Sequence, residues 1–70
     1  MFDVWIYDLS GNIAKKFDNA LEFSIIVQDD MEKRFPEIIY FFAYRCSYIF
    51  VLDDDGEHFY PLCLFSAHVG

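Results

Sequence analysis

Positive charge is what this chain has least of. Five Lys and Arg stand against twelve Asp and Glu, a formal net charge of −7. Nucleic-acid binding draws its affinity from Lys and Arg on phosphates. Direct nucleic-acid binding is therefore not expected, and neither is docking on an anionic membrane. Cysteine is also scarce, with two residues, whereas a disulfide-built domain of this size usually has more. Cys46 and Cys63 are expected to be reduced, buried thiols. No apolar run reaches the roughly 18 residues of a membrane span, and the longest, Ile38 to Tyr44, has the length of a strand. No positively charged start leads into an apolar stretch, so no signal peptide is expected. The expected location is the cytoplasm, that of the host cell if a phage encodes the chain.

What is abundant is apolar surface. The chain is 56% hydrophobic, 21% aromatic and 24% charged, the balance of a globular domain rather than a disordered segment. Seventy residues predict a single small α+β domain over 1–70. A domain of this size buries only about 60% of its unfolded surface and is marginally stable. Net charge keeps such a sticky protein soluble, and it also steers the protein toward a basic partner.

The expected elements follow from periodicity. Phe2 to Asp8 alternates as a strand, Ser10-Gly11-Asn12 is a turn, and Ile13 to Phe17 returns with Lys15 and Lys16 as edge charges. Asn19 and Glu22 have the spacing of a capping box. From there to Phe35, Ala20, Leu21, Phe23, Ile25, Val27, Met31 and Phe35 share one helical arc. Lys33 and Arg34 suit the last turn, and Pro36 ends the helix. Ile38 to Tyr44, Ser47 to Leu52 and His58 to Phe65 read as strands. Asp55-Gly56 is expected as the central pair of a type I′ turn. Pro61 puts the last of these strands at an edge or a bulge, and residues 66–70 are expected to form a loose tail. The architecture is then an antiparallel sheet of four to five strands with one amphipathic helix packed on one face.

Strand parity separates two sets of side chains. One is mainly aliphatic: Phe2, Val4, Ile6, Ile39, Phe41, Ala43, Ile49, Val51, Tyr60, Leu62 and Leu64. The other is aromatic: Trp5, Tyr7, Tyr40, Phe42, Tyr44, Tyr48, Phe50, Phe59 and Phe65. With the helix on the aliphatic set, the aromatic face would lie open. Six half-exposed rings would make a patch on the order of 500 Å², at the upper end of what monomers show. Trp5, Tyr40, Phe42, Tyr44, Tyr48 and Phe50 are therefore the expected contact residues. Asp29, Asp30 and Glu32, with the turn Asp53-Asp54-Asp55, would add acidic contacts.

Catalytic and metal motifs do not assemble. Cys46, His58, Cys63 and His68 lack the close cysteine spacing of a zinc site. An EF-hand register over Asp53-Asp54-Asp55-Gly56 would place Val51 and Leu62 where acids are required. A chain this short leaves little room for a substrate pocket of roughly 300 Å³ or more. No enzyme activity, metal or cofactor is expected. In size, acidity and lack of catalytic residues, with Asp29-Asp30-Met31-Glu32 and Asp53-Asp54-Asp55-Gly56-Glu57 as local content, the chain resembles the small inhibitors that phages use against host defences, such as anti-CRISPR and anti-restriction proteins. That resemblance implies a non-catalytic protein-binding module docked on a basic, nucleic-acid-handling enzyme. The alternative is a structural domain that forms a homodimer through its aromatic face.

Overall fold

In the computed structural model, which describes residues 1–37 and 44–70, the alternating start of the chain is strand β1, Phe2–Tyr7. Val4 and Ile6 point inward and are fully buried. Asp8 shapes the turn that follows. Its carboxylate accepts from the backbone N–H groups of Ser10 and Asn12 at 2.9 and 3.0 Å, and Gly11 supplies a φ of +84°. The chain returns as β2, Ile13–Ala20, longer than the expected stretch to Phe17.

Ala20 and residues 22–26 are in strands, not a helix: β2 is followed after a bend at Leu21 by β3, Glu22–Ile26. Asn19 and Glu22 are strand residues and cap nothing. The β-branched pair Ile25-Ile26, with Phe23, favours a pleated strand, and a paired partner strand decides the matter. β3 pairs with β4, Tyr48–Asp53, over its whole length, whereas β2 pairs with β1. The continuous run β2–β3 thus passes from one sheet to another at Leu21, whose N–H donates to the Leu52 carbonyl at 2.7 Å. Strands that switch sheets in this way make the corners of small sandwiches and barrels.

The helix α1 is short, Gln28–Arg34. It begins at Val27 without a side-chain cap, and the Phe35 N–H closes it on the Met31 carbonyl at 2.9 Å. Asp29 and Asp30 in the first turn and Lys33 and Arg34 in the last complement its dipole, and Pro36 follows as expected. Two turns are too few to be stable alone, so α1 depends on docking through Met31, which is fully buried.

β4 and β5, Gly56–Pro61, form the expected hairpin with a different turn. Asp53 pairs with Gly56, leaving Asp54-Asp55 as the loop. Gly56 has φ +117° and no described non-glycine residue has positive φ, so a type I′ turn centred on Asp55-Gly56 is ruled out. The arrangement is a forward turn followed by a glycine. Pro61 ends an edge strand, as its missing N–H requires. The expected loose tail is also corrected: Ser66–Val69 is strand β6, paired with β1. Asp3 and Gly70 exchange two backbone hydrogen bonds just beyond it, at 3.1 and 3.0 Å.

The described residues therefore form an α+β fold with two three-stranded antiparallel sheets, ordered β2-β1-β6 and β3-β4-β5, in place of one sheet of four to five strands. The strand expected at Ile38 to Tyr44 falls on residues 38–43, outside the described residues, and Tyr44 itself is not in a strand. The core has two parts. Ile49 and Val51 face Val4, Ile6, Phe17 and Ala20 of the other sheet. On the opposite face of β4, Tyr48 and Phe50 pack with Ile26 and Met31, bordered by Phe35, Cys46, Leu52 and Phe59. The helix thus covers aromatic residues, and a second sheet covers the aliphatic ones, the reverse of the expected packing.

Candidate functional site

This packing redistributes the expected contact residues. Tyr48 and Phe50 are 2% and 3% exposed beneath α1, so they cannot form a surface. The Tyr48 hydroxyl donates to the Tyr44 carbonyl at 2.6 Å, and burial raises the Tyr48 phenol above its ordinary value. Phe50 lies against Phe35 and Phe59. Tyr44 is exposed. Tyr40 and Phe42 lie outside the described residues. Trp5 belongs to the other sheet, where it sits between its two cross-strand neighbours, Lys16 and His68. The Lys16 ammonium lies 5.3 Å from its ring centroid and the His68 ring 5.5 Å away. Among the described residues, then, the aromatic side chains form no single open face. A homodimer built on Tyr48 and Phe50 would require α1 to leave its seat.

The acidic residues fare differently. β3 runs from Glu22, opposite Leu52, to Ile26, opposite Tyr48. The expected acids separate to either end of it. Asp29, Asp30 and Glu32 follow the Ile26 end on α1 and are exposed, with Glu32 at 3.7 Å from the Arg45 guanidinium.

At the other end the sheet gathers a denser group. Glu22 and Glu57 both stand directly opposite Leu52, one from each neighbouring strand, so all three side chains project from one face. The strands that carry the two glutamates stand about 10 Å apart. The hairpin loop adds Asp54 and Asp55, both exposed. None of these four acids is ion-paired among the described residues. Glu22 and Glu57 were not among the expected contacts. Their opposition to a common residue becomes visible only once β3 is known to be a strand.

Asp53 is the exception within this end. Its carboxylate accepts from His58 at 2.8 Å and from the Asp55 N–H at 3.0 Å. The His58 hydrogen bond holds its pKa below the ordinary aspartate value. His58 in turn lies 4.8 Å from the Phe17 ring. Asp53 is thus a turn-forming residue tied inward, while Asp54 and Asp55 face solvent.

The cysteine and histidine constellation divides. His58 is held by Asp53, His68 lies on Trp5, and no group of three or more metal-ligating side chains converges among the described residues. Cys46 and Cys63 do meet, with sulfurs 3.3 Å apart. Neither is buried as expected: Cys46 is half-buried and Cys63 exposed. A cleft of about 300 Å³ at the end of α1 is lined by Arg34, Phe35, Pro36 and Glu37. No helix among the described residues is long and apolar enough to cross a membrane. No protein-family model, curated protein or solved structure matches the chain.

Proposed function

We propose that this chain is a non-catalytic protein-binding module that sets the acidic end of its β3-β4-β5 sheet against a basic surface. On this reading it acts as an inhibitor of a nucleic-acid-handling enzyme, in the manner of the anti-defence proteins it resembles. The observation that carries the proposal is the placement of Glu22, Asp54, Asp55 and Glu57 around Leu52 at one sheet end, with no ion-pair partner among the described residues. Like charges on strands about 10 Å apart repel over a Debye length of similar size. A lysine- or arginine-rich groove would relieve that repulsion and be found faster through steering. Leu52, half-buried between the acids, offers an apolar contact at the centre of the charged rim, the usual anatomy of a protein interface.

Competition tests this reading. The protein is titrated into RNA-guided and restriction nucleases while DNA or RNA binding is followed. An inhibited enzyme should exchange nucleic acid for the protein, and the exchange should weaken as salt rises. The variant Glu22→Gln/Asp54→Asn/Asp55→Asn/Glu57→Gln should lose roughly tenfold or more in affinity, about 1.4 kcal/mol. Inhibition that survives both high salt and this variant refutes the acidic docking surface.

A further inference from the structure

The two thiols meet just beyond the end of the β4–β5 ladder. The ladder ends with Tyr48 opposite Pro61, and the next step is marked by the Leu62 N–H donating to the Ser47 carbonyl at 2.9 Å. Just beyond it the ladder has ended: Cys46 lies in a bend and Cys63 in a turn, which the Leu64 and Phe65 N–H groups close on the Pro61 carbonyl at 3.0 and 3.1 Å. The sulfurs are 3.3 Å apart, so bond formation needs only a small closure. Cys63 is exposed and Cys46 half-buried at the border of the Tyr48–Met31 cluster.

We infer that Cys46 and Cys63 form a reversible disulfide clasp across the open end of the β4–β5 hairpin, closed by exchange with a small oxidised disulfide such as oxidised glutathione. The exposed Cys63 thiolate attacks one sulfur of the small disulfide, forming a mixed disulfide and releasing one small thiolate. The Cys46 thiolate then attacks Cys63 Sγ and releases the second. The protein gives up two protons and two electrons, and the small disulfide leaves as two thiols. The closed form ties the chain entering β4 to the chain leaving β5, next to the seat of α1. The device is independent of the acidic surface at the other end of the sheet.

The experiment uses the folded full chain in glutathione buffers stepped from reducing to oxidising. Oxidation should remove two hydrogens by intact mass, leave the protein without attached glutathione and not covalently dimerised, and slow amide exchange at Tyr48 and Phe50. A ring of this size should raise Tm by on the order of 10 °C, and dithiothreitol should reverse every change. The Cys46→Ser variant should stop at a glutathione adduct on Cys63. Should that variant not fold, the wild-type mass and melting data decide alone. A lasting glutathione adduct on the wild-type chain, a covalent dimer, or thiols that stay free in the oxidising buffer would each overturn the clasp.

Discussion

The seat of α1 can be tested by comparing two truncations, Met31→Ala and Ile25→Ala. A continuous helix over residues 20–35 would put both side chains on its buried arc and make the two losses similar. The observed fold separates them. Met31 is fully buried between Ile26, Tyr48 and Phe50. Truncation to alanine removes three heavy atoms, about 2.4 kcal/mol at about 0.8 kcal/mol for each buried methylene-sized group, and the cavity adds to it. About 3 kcal/mol is expected. Ile25 is 46% exposed on an edge strand. It forfeits about half the transfer energy of three carbons and opens no cavity, so about 1 kcal/mol is expected. Proteins of this size have roughly 4–10 kcal/mol in total, so the Met31 loss shifts the urea midpoint strongly and lowers Tm by more than about 10 °C. Urea unfolding of both variants at constant m-value is the assay. Equal losses, or a larger loss at Ile25, would refute the break between β3 and α1.

Two further outcomes follow from the β4–β5 hairpin. The Asp53 pKa is lowered chiefly by the His58 hydrogen bond. Its contribution to stability is therefore present above the unfolded aspartate pKa near about 3.9 and is lost as pH falls through the lower folded value. An NMR titration should place the Asp53 midpoint below that of free aspartate, and His58→Ala should move it upward; an unmoved midpoint would show that His58 is not the cause. At Gly56, φ is +117° and an added Cβ meets nothing within 4 Å. Gly56→Ala should therefore cost about 1 kcal/mol or more through backbone strain alone, and a neutral result in urea unfolding would contradict the positive φ.

Part of this architecture is legible in the sequence, for identifiable reasons. Alternation marks β1, and aromatic and β-branched residues mark β4. Pro36 and the basic pair Lys33-Arg34 located the end of α1. A two-residue turn on Asp55-Gly56 sets Asp54 against Glu57 and hence Val51 against Tyr60, whereas Ile49 faces Tyr60. An error of two residues preserves parity, so the two faces of β4 were separated correctly. Residues 20–27 are ambiguous in the sequence, because their apolar positions fit a helical arc while Phe23, Ile25 and Val27 also alternate. Tertiary pairing of β3 with β4, which no local pattern encodes, resolves the ambiguity. β6 is not legible in the sequence, because Ser66-Ala67-His68-Val69 has little strand character of its own and pairs with β1.

Which strands share a sheet is not legible in the sequence, and it decides which side chains are exposed. Parity assigns side chains to faces within a strand but says nothing about which strands lie together. Trp5 and Phe50 have matching parity in a single sheet. In two sheets Trp5 sits with Lys16 and His68, and Phe50 lies under α1. Because β4 is covered on both faces, its residues from Tyr48 to Val51 are all buried. Stability of so short a chain is thereby drawn from aromatic side chains that strand parity alone would place on an open face. Among the described residues, the exposed acids Glu22, Asp54, Asp55 and Glu57 gather where β3, the hairpin loop and β5 come together, beside the exposed Leu21. A partner selected by this surface should be recognised through charge around a small apolar contact rather than through a broad aromatic face. Its affinity should accordingly respond more to salt than to aromatic substitution.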